Sequence, residues 1–187
     1  MNRVLVQAAA LLAVIVLSSC GGDGDDNGMP GMSGMGTNTA TDAPFDARFI
    51  DSMIVHHEAA VAMARQALAS GAHPEIKAMA NDIIRAQEAE TGQMRQWRKD
   101  WYPDLPPTNG LQMDMGAMQI VNDPARPFDL RFIEAMIPHH QGAIAMATGA
   151  RTMAVHTELR TLASSILSAQ QGEIAQMEQW KREWFAQ

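Results

Sequence analysis

The sequence contains one cysteine, Cys20, close to its N-terminus. A single cysteine cannot form an intramolecular disulfide, and it cannot build a thiolate metal site inside a folded domain. Any metal would therefore be bound by histidine, methionine or carboxylate side chains. The chain also lacks a basic excess, since its formal net charge is −7 at pH 7. Proteins that bind nucleic acid need a basic surface, so we predict no nucleic-acid partner.

The one long apolar run covers residues 4–17 and is too short for a comfortable membrane span, which needs about 20 residues. It follows Arg3 and ends in Leu17-Ser18-Ser19-Cys20, a pattern that resembles the bacterial lipobox. We therefore predict that residues 1–20 are a lipoprotein signal peptide and that Cys20 is the lipidation site. An ordinary signal peptide with a chance cysteine is the alternative. Both interpretations predict an exported protein, and the first anchors it to a membrane at the cell envelope, in the periplasm or on the outer surface.

Methionine, by contrast, is abundant, with 15 copies. Residues 21–44 are rich in Gly, Asp, Asn, Ser and Thr, which predicts a flexible tether. Within it Met29, Met32 and Met35 recur every three residues, where no core needs filling. Thioethers are soft ligands that favour Cu(I), so these methionines are candidate auxiliary copper ligands. Low-complexity drift is the alternative explanation.

The rest of the chain is an internal duplication. Residues 45–102 align without a gap to residues 128–185, and 26 of the 58 aligned positions are identical. An ungapped match of this length indicates two copies of one structural unit. All six histidines occupy equivalent positions in the two copies, 83 residues apart.

Each copy is predicted to form two helices. In repeat one (residues 45–102), apolar residues recur at helical spacing as far as Ser70. Gly71 then suits the end of the first helix, and Pro74 suits the first turn of the second. The second helix is predicted to end before Pro103. Two αα-hairpins with one apolar face each can bury those faces only against each other. We predict an all-α fold, a four-helix bundle with a pseudo-twofold axis spanning residues 45–185. Residues 103–127 join the repeats, and their length suggests that they cross the bundle.

The candidate metal ligands centre on the two His-His pairs. Adjacent helical residues point about 100° apart. The helical geometry places His57 and His140 in the middle of the buried face, and His56 and His139 at its edge, on a strip shared with methionines. The predicted thioether ligands are Met53, Met63, Met136 and Met146. Imidazole and thioether donors together suit Cu(I), and imidazole also holds Cu(II).

The second helix of each repeat adds carboxylates on its apolar side, Glu90 and Glu173, beside glutamine and methionine. A carboxylate facing a core is costly unless it is paired or binds a metal, and a central histidine is its obvious partner. We therefore include both glutamates as candidate ligands. The linker carries a further methionine cluster, Met113, Met115 and Met118, as candidate auxiliary ligands. The alternatives are that methionines at helical spacing fill the core and that the His–Glu–Gln network is purely structural.

The pattern M-I-x-H-H-x-x-A-x-x-M-A, followed by A-Q-x-x-E-x-x-x-M-x-x-W, resembles the DUF305 family of secreted bacterial proteins. Repeat two is the closer match, whereas repeat one has Val55 and Glu58 where repeat two has Pro138 and Gln141. The resemblance implies a ferritin-like four-helix bundle. Some family members are CopM-type copper-binding proteins, which implies periplasmic copper binding and copper resistance for those members.

We expect an exported copper-binding protein that sequesters or transfers copper at the cell envelope and catalyses no reaction. Its partners would be the metal ion, the membrane and copper-handling proteins, and the sequence leaves its oligomeric state open. One alternative is a ferritin-like di-metal oxidase, although such bundles need several inward carboxylates and a Glu-x-x-His, which the repeats lack. The other is a metal-free interaction module at the envelope.

Overall fold

A computed structural model describes residues 43–186. It contains four helices, α1 (Phe45–Ser70), α2 (Pro74–Trp101), α3 (Phe128–Met153) and α4 (Thr157–Phe185). This part of the chain contains no strand, and its helix pairs pack closely, so the predicted all-α four-helix bundle is confirmed. None of the four helices combines the length and apolar character needed to cross a membrane.

Helix boundaries follow the turn signals of the sequence. α1 ends before Gly71, and Pro74 occupies the first turn of α2, where its missing N–H costs nothing. Pro138 lies inside α3, which begins ten residues earlier at Phe128. The helix therefore continues through this proline rather than beginning at it.

Within the bundle, α1 packs on α2, α3 packs on α4, and α1 also packs on α3. The buried apolar residues form two clusters, one towards each end of the bundle. The first joins Phe49 of α1 to Leu159 of α4, and the second joins Phe132 of α3 to Ile76 of α2. Phe49 and Phe132 are equivalent in the repeats and fully buried, and each contributes about 1.5–3 kcal/mol of hydrophobic stabilisation. The pseudo-twofold arrangement thus follows directly from the duplication.

The linker, residues 102–127, lies across α1 and α3. The backbone N–H of Leu111 donates to Ser52 Oγ (2.7 Å), and the N–H of Thr108 donates to Asp51 Oδ2 (2.8 Å). Gly116 has φ +70°, and a Cβ on it would overlap Pro138 O of α3. A Cβ on Gly142 would likewise overlap Met115 O. The linker therefore covers the α1–α3 junction through contacts too close for larger residues at these two positions.

Aspartate–histidine–tryptophan clamps close both ends of the bundle. The Asp46 carboxylate accepts hydrogen bonds from the backbone N–H groups of Val155 and His156 and from His156 Nδ1 (2.7 Å). The His156 ring stacks on Trp101 with centroids 3.7 Å apart. Asp129, His73 and Trp184 repeat the arrangement at the other end. Each clamp joins one repeat to the other, so the two histidines hold the halves together.

Candidate metal centre

Between the two apolar clusters lies a polar layer that contains all four histidines of the His-His pairs. Each of the four is fully buried, and the layer also holds two buried glutamines, Gln87 and Gln170. The rings of His56 and His139 stack with centroids 3.6 Å apart, and each lies about 6.4 Å or less from its sequence neighbour. The predicted edge position of His56 and His139 is wrong. The linker covers that side of the bundle, and helical periodicity cannot reveal a cover supplied by a distant segment.

The two glutamates fix the other two histidines. The Nε2–H of His57 donates to Glu90 Oε2 at 2.8 Å, and that of His140 donates to Glu173 Oε2 at 2.6 Å. The predicted partnership of inward carboxylate and central histidine is thus present in both repeats. The glutamate side chains are 21% and 23% exposed, so each connects a buried ring to solvent.

The linker backbone binds the remaining pair. His56 Nε2 lies 3.0 Å from Met115 O, and His139 Nδ1 lies 2.6 Å from Ala117 O. His139 Nε2 also lies 3.1 Å from His56 O. A neutral imidazole has one N–H, so we assign the donated hydrogen bond of His139 to the shorter contact, with Ala117 O. These linker carbonyls were not predicted. The glycines at 116 and 142 were the available signal, because they permit close backbone approach.

Burial keeps this pair uncharged. Burial lowers the pKa of His56 from 6.5 to about 2, and the charge of the neighbouring His139 is the second cause of this shift. Burial also lowers the pKa of His139 to about 4, although its hydrogen bond to Ala117 O opposes the shift. Both rings are therefore neutral at ordinary pH, with one nitrogen lone pair each.

Several polar atoms of the layer have no hydrogen-bond partner among the described residues. They include three imidazole nitrogens, Nδ1 of His56, His57 and His140, and the side-chain oxygens of Gln87 and Gln170. Buried polar groups are nearly always paired, so each exception needs an explanation. An imidazole nitrogen whose ring partner donates to a carboxylate or a backbone carbonyl is oriented like a metal ligand.

Methionines lie on both sides of this layer. Met53 and Met146 belong to the first apolar cluster, Met63 and Met136 belong to the second, and all four are buried. Across residues 43–186, no three His, Cys, Asp or Glu side chains form a group that could hold a metal by themselves. One metal ion in the layer would therefore be held by at most two of these side chains, and the buried thioethers are available as further soft donors.

The auxiliary candidates lie apart from the layer. Met113 and Met118 of the linker are exposed, whereas Met115 is half-buried and contributes its backbone carbonyl to His56. Cys20 and the tether methionines Met29, Met32 and Met35 fall outside the described residues.

The profile of a domain of unknown function, DUF305, matches residues 18–98 and 46–181. The chain belongs to the DUF305 family. The comparison with curated proteins gave no match.

DUF305 structures share the fold. A structure of CopM in the Cu(I)-bound form is 39% identical, with a TM-score of 0.64, over 75% of this chain and 98% of that one. CopM in the Cu(II)-bound form is 37% identical, with the same TM-score and coverage. A DUF305 protein from Streptomyces coelicolor, described as a candidate secreted protein, is 25% identical, with a TM-score of 0.61, over 75% of this chain and 93% of that one.

Proposed function

We propose that this DUF305 protein binds copper in the histidine layer, chiefly as Cu(I), and sequesters or transfers it without catalysing a reaction. The observation that carries the proposal is the set of three buried, unpartnered imidazole nitrogens between two pairs of buried methionines. The likeness to CopM, solved with Cu(I) and with Cu(II), supports copper as the metal.

The chemistry of the donors favours Cu(I). Thioethers and neutral imidazoles are soft to borderline ligands, and none of them must lose a proton to bind when the ring is already neutral. The lowered pKa of His56 means that mild acid does not protonate this candidate ligand. Copper binding through His56 and the thioethers should therefore persist at mildly acidic pH. Imidazole also allows Cu(II) to bind after oxidation.

The contacts suggest a division of roles within the layer. His56, His57 and His140 each have an Nδ1 without a hydrogen-bond partner, so they are the candidate imidazole ligands. Because no three such side chains of residues 43–186 form a metal-holding group, one ion would take one or two of them. The thioether candidates are Met53, Met63, Met136 and Met146. Glu90 and Glu173 already accept hydrogen bonds from His57 and His140, so we assign them the orientation of those rings rather than direct coordination.

His139 has a different role, because both of its nitrogens face carbonyl oxygens. We propose that it stacks on His56 and ties α3 to the linker. It becomes a ligand only if the linker moves.

The location of this function follows from the N-terminal sequence. A lipid anchor at Cys20 would hold the bundle at the cell envelope, and the tether methionines Met29, Met32 and Met35 would collect copper weakly. Copper-handling proteins in the same compartment would be the donors or acceptors.

The proposal is tested by Cu(I) affinity, measured against a competing chelator. The double variant His57→Gln/His140→Gln keeps an N–H donor for each glutamate but removes two candidate imidazole ligands. We expect it to lose the tightest site, with affinity reduced by more than about 100-fold. A matched control, His73→Gln/His156→Gln, removes two histidines from the end clamps and should retain that site. Equal affinity of the layer variant and the unaltered protein would exclude His57 and His140 as ligands. Failure of the unaltered protein to bind Cu(I) at all would leave a metal-free bundle as the better description.

A further inference from the structure

A second cluster of thioethers lies on one side of the bundle and shares only Met146 with the thioether candidates of the histidine layer. An open cavity of about 400 Å³ is bounded by the N-terminal turn of α1, the linker and the C-terminal half of α3. Three methionines line it: Met113 of the linker, and Met146 and Met153 of α3. They come from two segments that the linker's path over α1 and α3 brings together.

Core packing does not explain two of these methionines. Met153 is 57% exposed and Met113 is 37% exposed, so both side chains gain little from burial. Met146 is buried and forms the floor of the cavity. An exposed, flexible thioether is better suited to binding a ligand than to filling a core.

The duplication supplies an independent argument. Met146 corresponds to Met63 and is the same residue in both repeats, as expected for the shared core. At the rim the repeats differ, because Met153 replaces Ser70 and Gly149 replaces Gln66. Repeat two thus has an added thioether and lacks a long polar side chain beside the cavity. Both differences increase the soft-ligand character of one side of the bundle only.

We propose that Met113, Met146 and Met153 form a second, weaker site for a soft monovalent cation, Cu(I) or its analogue Ag(I). The proposal rests on the proposed function only for the choice of metal. Thioethers select such ions, and the three rotatable bonds of methionine allow the sulfurs to converge on one.

One charged group lowers the affinity of this site for a cation. Arg48 also lines the cavity, so its guanidinium adds a positive charge to the cavity wall. Neutral thioethers add no charge to offset this repulsion. The cavity therefore binds more weakly than the histidine layer, which suits an entry or exchange position at the protein surface.

The test uses the double variant Met113→Leu/Met153→Leu in the purified protein. Leucine keeps the volume and removes the sulfur, so the fold is preserved. The matched control is Met79→Leu, which changes a methionine of α2 that is not a candidate ligand, does not line the cavity and aligns with Leu162 of repeat two. The readouts are calorimetric titration with Ag(I) and NMR of ¹³C-labelled methionine methyl groups.

We expect the double variant to bind one Ag(I) equivalent fewer, losing the weaker site and keeping the tight one. Met79→Leu should bind like the unaltered protein, and the methyl signals of Met113 and Met153 should shift together at the weaker step. Conversely, His57→Gln/His140→Gln should lose the tight site and keep the weaker one. Unchanged stoichiometry in Met113→Leu/Met153→Leu, or methyl signals of Met113 and Met153 that stay fixed, overturns the proposal while leaving the histidine-layer site intact.

Discussion

The rings of His56 and His139 stack at the centre of the bundle with their centroids 3.6 Å apart and their planes 22° from parallel. These residues are equivalent in the two repeats, so the stack marks the point where duplicated helices α1 and α3 meet. Two imidazolium ions could not share this buried contact, because desolvation and mutual repulsion both oppose charging. The stack therefore requires neutral rings.

Acid should weaken the folded state through this pair. The pKa of each ring is lowered on folding, to about 2 for His56 and about 4 for His139, against 6.5 as the ordinary value. Above pH 6.5 both rings are neutral in either state, and no stability is lost. Below pH 6.5 the two histidines become protonated in the unfolded chain, whereas they stay neutral in the folded chain. The free energy of unfolding should fall by about 1.4 kcal/mol per pH unit per histidine between pH 6 and pH 4.

Urea denaturation of the metal-free protein at several pH values measures this slope. The variant His56→Asn/His139→Asn cannot titrate at these positions, so its stability should depend less steeply on pH. Parallel curves for the two proteins over this range would contradict the assignment.

The linker should depend on Gly116. Replacing it by alanine imposes a positive φ on a residue with a Cβ, and that Cβ overlaps Pro138 O. We expect Gly116→Ala to lower the free energy of unfolding by at least about 1–3 kcal/mol, as measured by thermal and urea denaturation. Gly92→Ala is the control, since nothing lies within 4 Å of the added carbon and alanine favours the α2 helix. Equal stability of the two variants would show that the linker does not pack closely against α3 at Gly116.

The end clamps should stabilise the pairing of the repeats. Asp46 is buried, and its carboxylate accepts three hydrogen bonds from Val155 and His156, the two residues that precede α4. Asp46→Asn replaces one acceptor oxygen by a donor, and we expect a loss of about 1–3 kcal/mol in urea denaturation. Asp82→Asn, an exposed site paired only with Arg85, should change stability by less than about 0.5 kcal/mol. A loss of stability no greater than that of the control would show that the Asp46 clamp does not stabilise the pairing of the repeats.

The glutamates should tune copper affinity without binding the metal. Glu90→Ala/Glu173→Ala frees the Nε2 of both rings and lets them rotate, so Cu(I) affinity should fall by about 10- to 100-fold. Glu88→Ala, on the outer face of α2 and paired with Arg65, is the control. Competition titration distinguishes the roles. A complete loss of binding would identify the carboxylates as direct ligands.

Much of the fold was predictable because the duplication, the apolar spacing and the turn residues all indicate the same two hairpins. The His57–Glu90 contact was predictable for a related reason. A carboxylate on an apolar helix face needs a partner, and the histidine at the centre of the other face provides one.

The burial of His56 and the hydrogen bonds to the linker could not be predicted in the same way. They depend on where a segment of 26 residues lies, and its sequence carries no periodicity that places it on α1 and α3. Ala59 and Gly142 occupy equivalent positions of the two repeats, and a Cβ on Gly142 would overlap Met115 O of the linker. This difference between the repeats was the available sequence signal. Differences between duplicated repeats therefore mark the surface that the linker occupies.

X-ray absorption spectroscopy of the protein loaded with one equivalent of Cu(I) tests the central claim most directly. We predict that imidazole nitrogen and thioether sulfur both coordinate the metal, and that the imidazole scattering is strongly reduced in His57→Gln/His140→Gln, which retains only His56 among the candidate imidazole ligands. A spectrum without imidazole scattering in the unaltered protein, or one that is unchanged in the variant, would contradict it.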